Sequence, residues 1–244
     1  MQPGDALLAA WVIGILAVAG PAWQREPPLF AGDSPPVMIV LRVSASMQQA
    51  DLQPTRLRRA QQKIVDLLAS EPAQAAGLIA YDGSAHLVLP PTQDHGVVVT
   101  MAQALSPDLM PRHGDALGDA VALARRVLAE ASLGGSVLVL TDDAAPFAQP
   151  PPTGAPVTIL PVLPPGREPR AGLQAAASAL DARVVPLTVD GSDVAGIGGR
   201  LASAGSMTQP PGEAERWRDG GWYLVPLLAL VVLFWFRRGW AVLG

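Results

Sequence analysis

The residues with chemical potential gather in three places. Val37-Met-Ile-Val-Leu41 is a continuous apolar run that ends in Arg42-Val-Ser-Ala-Ser46. A run without polar alternation predicts a strand buried on both faces, and the carboxyl end of such a strand is where open α/β sheets place their ligand crevices. Ser44 and Ser46 stand at that point beside Arg42, a permanent cation with five donors and no acceptor. A second buried run, Gly135 to Leu140, ends in Thr141-Asp142-Asp143, and His113-Gly-Asp115 opens a helical pattern. Asp82, Ser84 and His86 have the residue types of a hydrolytic orienter, nucleophile and base. A relay of that kind requires convergence in space, which one short turn does not provide. Asp82-Gly-Ser84 reads instead as the turn of a hairpin between Ala76–Tyr81 and Ala85–Leu89.

The elements that position these residues follow from the pattern. Thr55 caps a helix from about Arg56 to Ala69, with Leu57, Ala60, Ile64 and Leu67 or Leu68 on its buried stripe. Arg56, Arg58, Arg59 and Lys63 form the opposite face, read as solvated. Pro90-Pro91 breaks the hairpin strand, and Asp94 caps a helix to Leu105. A helix from the His113–Asp119 loop to about Ala131, a strand from Val157 to Leu163, a helix from Ala171 to Leu180, a short strand at Val184-Val185 and a Gly-broken helix from Ser192 to Ala204 complete the order. Apolar runs alternating with helical patterns give an α/β class with a mostly parallel sheet and one antiparallel hairpin strand.

The strand followed by x-x-Ser-x-Ser at 42–46 resembles the opening of the metal-binding motif of von Willebrand factor A domains. The fold this implies is a Rossmann-like α/β domain with a mostly parallel central sheet. In that family an Asp, two Ser, a distant Thr and a distant Asp surround one Mg²⁺, since hard cations take oxygen ligands. The resemblance assigns the metal positions to Ser44, Ser46 and Asp142, with Asp142 acting through water. The motif is degenerate here: Arg42 stands where the family has Asp, and Asp115 where it has the ligand Thr. Arg42 cannot ligate a cation and repels one, so no cofactor is expected and Mg²⁺ is disfavoured. Two arrangements are open. Arg42 takes the metal's place and pairs with Asp142, Asp115 or both, its remaining N–H groups donating to the Ser44 and Ser46 hydroxyls. Alternatively, it turns out of the crevice and pairs with nothing. The resemblance covers 37–145 well and 156–204 more loosely.

Half of the 244 residues are hydrophobic, and the mean hydropathy is +0.29. Ala6–Trp23 is uncharged and reads as a transmembrane helix, with a cleaved secretory signal ending at Ala17-Val-Ala19 as the rival reading. Residues 221–240 read as a second transmembrane helix, with Trp222 and Tyr223 at one interface and Trp235, Arg237, Arg238 and Trp240 at the other. Residues 24–36 and 205–220 read as linkers flanking a domain at 37–204. The Arg237-Arg238 pair places the carboxyl terminus in the cytoplasm, so a two-span chain carries its domain on the periplasmic or extracytoplasmic side of a bacterial inner membrane. The Trp-rich flanks of the two apolar segments look like the Bat aerotolerance group of bacterial membrane proteins. That resemblance implies other Bat-type membrane proteins as partners and, indirectly, a MoxR-type AAA+ ATPase.

A net charge of −4 gives no electrostatic case for nucleic acid, and the absence of Cys removes disulfides and thiolate chemistry. Gly196-Ile-Gly-Gly199 is no phosphate loop, because no strand leads into it and no Gly-Lys-Ser/Thr follows. The expected function is a membrane-anchored protein-interaction module rather than an enzyme, binding partners without a divalent metal or with only weak use of one. The alternative is a periplasmic hydrolase with an unrecognised site.

Overall fold

A computed structural model describes residues 3–19, 22–25, 35–130, 134–147, 154–188, 191–206, 217–219, 224–226, 228–230 and 233. The chain divides into two units, one formed by Met1–Leu29 with Gly212–Gly244 and the other by Phe30–Pro211.

In the first unit, helix α1 (Pro3–Val18) is followed by strand β1 (Ala22–Arg25). The helix stops short of the expected span at 6–23, and Trp23 lies in β1. Its 16 residues are about 24 Å long at about 1.5 Å per residue, less than a hydrocarbon core of about 30 Å. Among the described residues no helix is long and apolar enough to cross a membrane. Most of the second expected span, 221–240, lies outside the described residues.

In the second unit, the elements in order are β2 (Val37–Arg42), α2 (Arg56–Ser70), β3 (Ala76–Tyr81), β4 (Ala85–Thr92), α3 (His95–Ala104), α4 (Leu117–Glu130), β5 (Ser136–Thr141), β6 (Val157–Pro161), α5 (Ala171–Ala179), β7 (Arg183–Val184) and α6 (Ser192–Ser206). Six strands form one sheet in the order β4-β3-β2-β5-β6-β7, parallel throughout except for the β3–β4 hairpin. The apolar runs explain the centre: every residue of β2, β3 and β5 is buried. Strand alternation sends Val37, Ile39 and Leu41 to one face, where α2, α3 and α6 cover them. Met38 and Val40 go to the other, under α4 and α5. Thr55 and Asp94 cap α2 and α3 through the backbone N–H groups of Arg58 and Val97.

Three local expectations are corrected. Pro90 and Pro91 do not break β4, which runs to Thr92; β4 is an edge strand, where a missing N–H leaves no ladder bond unmade. The basic face of α2 is not solvated as a whole. Arg56 and Lys63 are each only 5% exposed, and Lys63 Nζ donates to the buried Asp193 carboxylate on α6 at 2.7 Å. The stretches read as linkers contain strands: β8 (Trp217–Asp219) pairs antiparallel with β1 within the first unit, setting Gln24 opposite Arg218.

Candidate functional site

Register brings the chemical residues together. Arg42 ends β2 opposite Tyr81 at the end of β3, and Leu41 pairs with Leu140, so Thr141 and Asp142 emerge beside Arg42. The loop before α4 delivers Asp115 to the same carboxyl edge. The β3–β4 turn holds that loop: Gly83 N–H donates to Arg112 O, Ala116 N–H donates to Asp82 O, and the Asp82 carboxylate accepts from His113 Nδ1 and Gly114 N–H.

The guanidinium of Arg42 lies between the two expected carboxylates. Its Nη1 is 3.6 Å from Asp115 Oδ2 and 3.6 Å from Asp142 Oδ1. The direct hydrogen bonds go to backbone, from Nη1 to Asp143 O at 2.5 Å and from Nη2 to Gly114 O at 3.4 Å. The serines do not accept from Arg42 as expected; Ser44 and Ser46 hydroxyls bond each other at 2.8 Å. Asp115 accepts from Leu117 N–H at the start of α4 and from Ala145 N–H. Burial pushes its carboxyl above the ordinary value, against the opposing pull of Arg42.

Sequence reasoning missed the residue that holds Asp142 most directly. Arg56 Nη1 donates to Asp142 Oδ2 at 2.9 Å, while its Nε and Nη2 fork onto Asp51 at 2.8 and 2.5 Å. The Asp51 hydrogen bond holds the Arg56 guanidinium above its usual range and the Asp51 carboxyl below its own. Arg167 also reaches Asp51 at 2.9 Å, and Arg170 reaches Asp143 at 2.8 Å. One signal was present. The first turn of α2 holds three arginines and no acid, the wrong sign for a helix N-terminus, so external carboxylates were needed to offset it.

These donors do not suit a divalent cation. A fixed cation stands between Asp115 and Asp142, the two hydroxyls are turned to each other, and Asp142 is already paired with Arg56. Among the described residues no three His, Cys, Asp or Glu side chains are grouped to hold a metal ion. The Asp82–Ser84–His86 relay is not assembled either: Ser84 Oγ meets His86 Nε2 at 2.8 Å, but Asp82 is turned to His113.

Residues 37–145 match the family model of the von Willebrand factor type A domain. No curated protein matches the chain. Among solved structures, an aerotolerance-related membrane protein from Bacteroides fragilis is similar at 23% identity and a TM-score of 0.54, over 68% of this chain and 98% of that one. The conserved hypothetical protein BatB from Bacteroides thetaiotaomicron gives 23% and 0.56, over 70% of this chain and 98% of that one. A PilB minor pilin from Streptococcus sanguinis gives 10% and 0.51, over 72% and 64%. Strand order, the two helical layers and the matched stretch agree: the fold of the second unit is that of a von Willebrand factor type A domain.

Proposed function

We propose that this chain is a membrane-anchored protein-interaction module of a bacterial inner-membrane complex, docking partners at the crevice without a divalent cation and carrying out no catalysis. The observation that carries the anchoring is α1. Beyond Asp5 it holds no charged residue, and it exposes Leu8, Trp11, Val12, Ile15, Leu16 and Val18. An exposed apolar helix of this kind is a liability in water and suited to lipid. The β1–β8 pairing supports two spans, because it brings the chain just after the first apolar segment beside the chain just before the second. Both segments then enter the membrane from one side. The Arg237-Arg238 pair sets the termini in the cytoplasm and the domain in the extracytoplasmic space.

Two of the similar structures are described as an aerotolerance-related membrane protein and as BatB, and the von Willebrand factor type A fold that the second unit shares with them is consistent with an interaction module. The partners it implies are other Bat-type membrane proteins. A MoxR-type AAA+ ATPase, being cytosolic, would be reached through the termini or another subunit. Two experiments test this. Alkaline carbonate extraction should leave the full chain in the membrane pellet; release into the supernatant sinks the anchoring. Photo-crosslinking from Ser46 in native membranes should capture a membrane protein whether or not a chelator is present. Capture abolished by chelator would exclude metal-free docking.

A further inference from the structure

The arginine at position 42 accounts for only part of the loss of a cation site. Replacing it by Asp would restore the family's ligand, yet Asp142 would remain occupied by Arg56 Nη1 at 2.9 Å. Arg56 is itself fixed by two bonds to Asp51, which also receives Arg167. Both Arg56 and Asp142 are buried, at 5% and 3% exposure, where charges are little screened by salt. A divalent ion at Asp142 Oδ2 would displace a buried charge-assisted bond and sit against a guanidinium held in place by its two bonds to Asp51. The ion-paired set holds four arginines, at 42, 56, 167 and 170, and four aspartates, at 51, 115, 142 and 143, so its formal charge is zero. The buried polar atoms left without a hydrogen bond at this edge include Arg42 Nε and Asp142 Oδ1, and that oxygen has Arg42 Nη1 3.6 Å away.

We infer that two guanidiniums, Arg42 from β2 and Arg56 from the first turn of α2, together replace the cation of this crevice, and that Arg56 is an independent barrier to a divalent ion. The inference concerns the same crevice as the docking proposal but does not rest on it: titration with metal alone says nothing of partner capture.

The full chain in detergent is titrated calorimetrically with MnCl₂ and MgCl₂, as wild type, Arg42→Asp, and Arg42→Asp with Arg56→Gln. Wild type is expected to give no saturable heat. The double variant is expected to bind Mn²⁺ at least about tenfold more tightly than Arg42→Asp, the equivalent of one freed carboxylate ligand. Saturable binding by wild type overturns the inference. So does an Arg42→Asp variant that binds as tightly as the double variant, or a folded double variant that binds nothing. Should the double variant not fold, Arg42→Asp with Asp51→Asn replaces it, because Asp51 holds Arg56 at Asp142 through two bonds. A larger rise in melting temperature with Mn²⁺ than that of Arg42→Asp is expected, and an equal rise overturns the inference, because a ligand that binds only the folded state must raise it.

Discussion

Arg56 and Asp142 join the first turn of α2 to the end of β5 through a 2.9 Å bond between two buried side chains. Such a pair contributes little compared with a well-packed apolar pair, but breaking it from one side leaves a charge stranded in low dielectric. Here the stranded group would be Asp142, whose Oδ1 already lacks a hydrogen bond and faces Arg42 at 3.6 Å. The pair therefore makes the crevice one electrostatic unit rather than a collection of surface contacts.

The first prediction is a contrast within one helix. Arg56→Met should destabilise the protein by about 3–5 kcal/mol, the cost of uncompensating a buried carboxylate. Arg58→Met, two residues on, removes a part-buried bond to Gln61 and an exposed one to Gln103 O and should cost only about 1 kcal/mol. Urea unfolding of both variants measures this. Equal losses would show that Arg56 is not held as described.

The second concerns acid. Asp51 and Asp193 titrate below the ordinary value of 3.8. For Asp51 the hydrogen-bonded Arg56 is the main cause. For Asp193 burial pushes upward but is outweighed by Lys63 Nζ and by the N–H groups of Thr188 and Val194. Between the depressed values and 3.8 the unfolded chain binds more protons. The stability these two contribute is therefore complete above 3.8 and lost as pH falls through their folded values. Asp115 has the opposite sign. Burial lifts its carboxyl above 3.8, so its contribution is largest below 3.8 and is lost as pH rises through the raised value. Denaturation midpoints from about pH 2 to 6 should show a flatter acid limb in Asp193→Asn and no decline just above the ordinary carboxylate range in Asp115→Asn. A decline that persists in Asp115→Asn would assign it to another group.

The third concerns two glycines in opposite surroundings. A Cβ on Gly83 would lie 2.5 Å from His113 O and 2.6 Å from His113 C, so Gly83→Ala must part the β3–β4 turn from the loop that carries Asp115. The expected cost is about 1–3 kcal/mol, as for other overpacking changes. Gly196 lies inside α6 with nothing within 4 Å of an added Cβ. There Gly196→Ala should stabilise by about 0.5–1 kcal/mol, because Gly loses more backbone entropy than Ala on entering a helix. A neutral Gly83→Ala would mean that the turn does not brace the loop.

What the sequence disclosed follows the range of the physics. The run Val37–Leu41, the caps at Thr55 and Asp94, and the Asp82-Gly83 turn are set by neighbours a few residues away, and each lies where its local pattern puts it. The Arg42 crevice was legible because the spacing of its Ser, Asp and Gly residues resembles the metal-binding motif of von Willebrand factor A domains. Arg56 was not, because its partner Asp142 lies 86 positions away and no spacing rule connects them. Its burial reverses the usual meaning of an Arg beside Arg58 and Arg59 on a helix. The β1–β8 ribbon was hidden for the same reason: Gln24-Arg25 and Trp217-Arg218 carry no alternation long enough to announce a strand.

That ribbon supplies the last prediction, which tests register and sidedness together. The chain has no Cys, so an introduced pair is unique. Gln24 and Arg218 are opposite in the antiparallel ladder, where Cα atoms lie about 4.5–5.5 Å apart, within the reach of a disulfide. Gln24→Cys with Arg218→Cys should therefore form an intramolecular disulfide. In growing cells it should form without added oxidant if the ribbon lies outside the cytoplasm, where thiols are oxidised, and stay reduced if it lies inside. Non-reducing gels of the whole chain, trapped with a thiol-blocking reagent, read both. A disulfide formed in cells supports the ribbon and the extracytoplasmic side at once. One that forms only after copper phenanthroline treatment of lysed cells keeps the ribbon and reverses the topology. No disulfide under either condition removes the β1–β8 pairing, and with it the argument that both apolar segments enter the membrane from the same side.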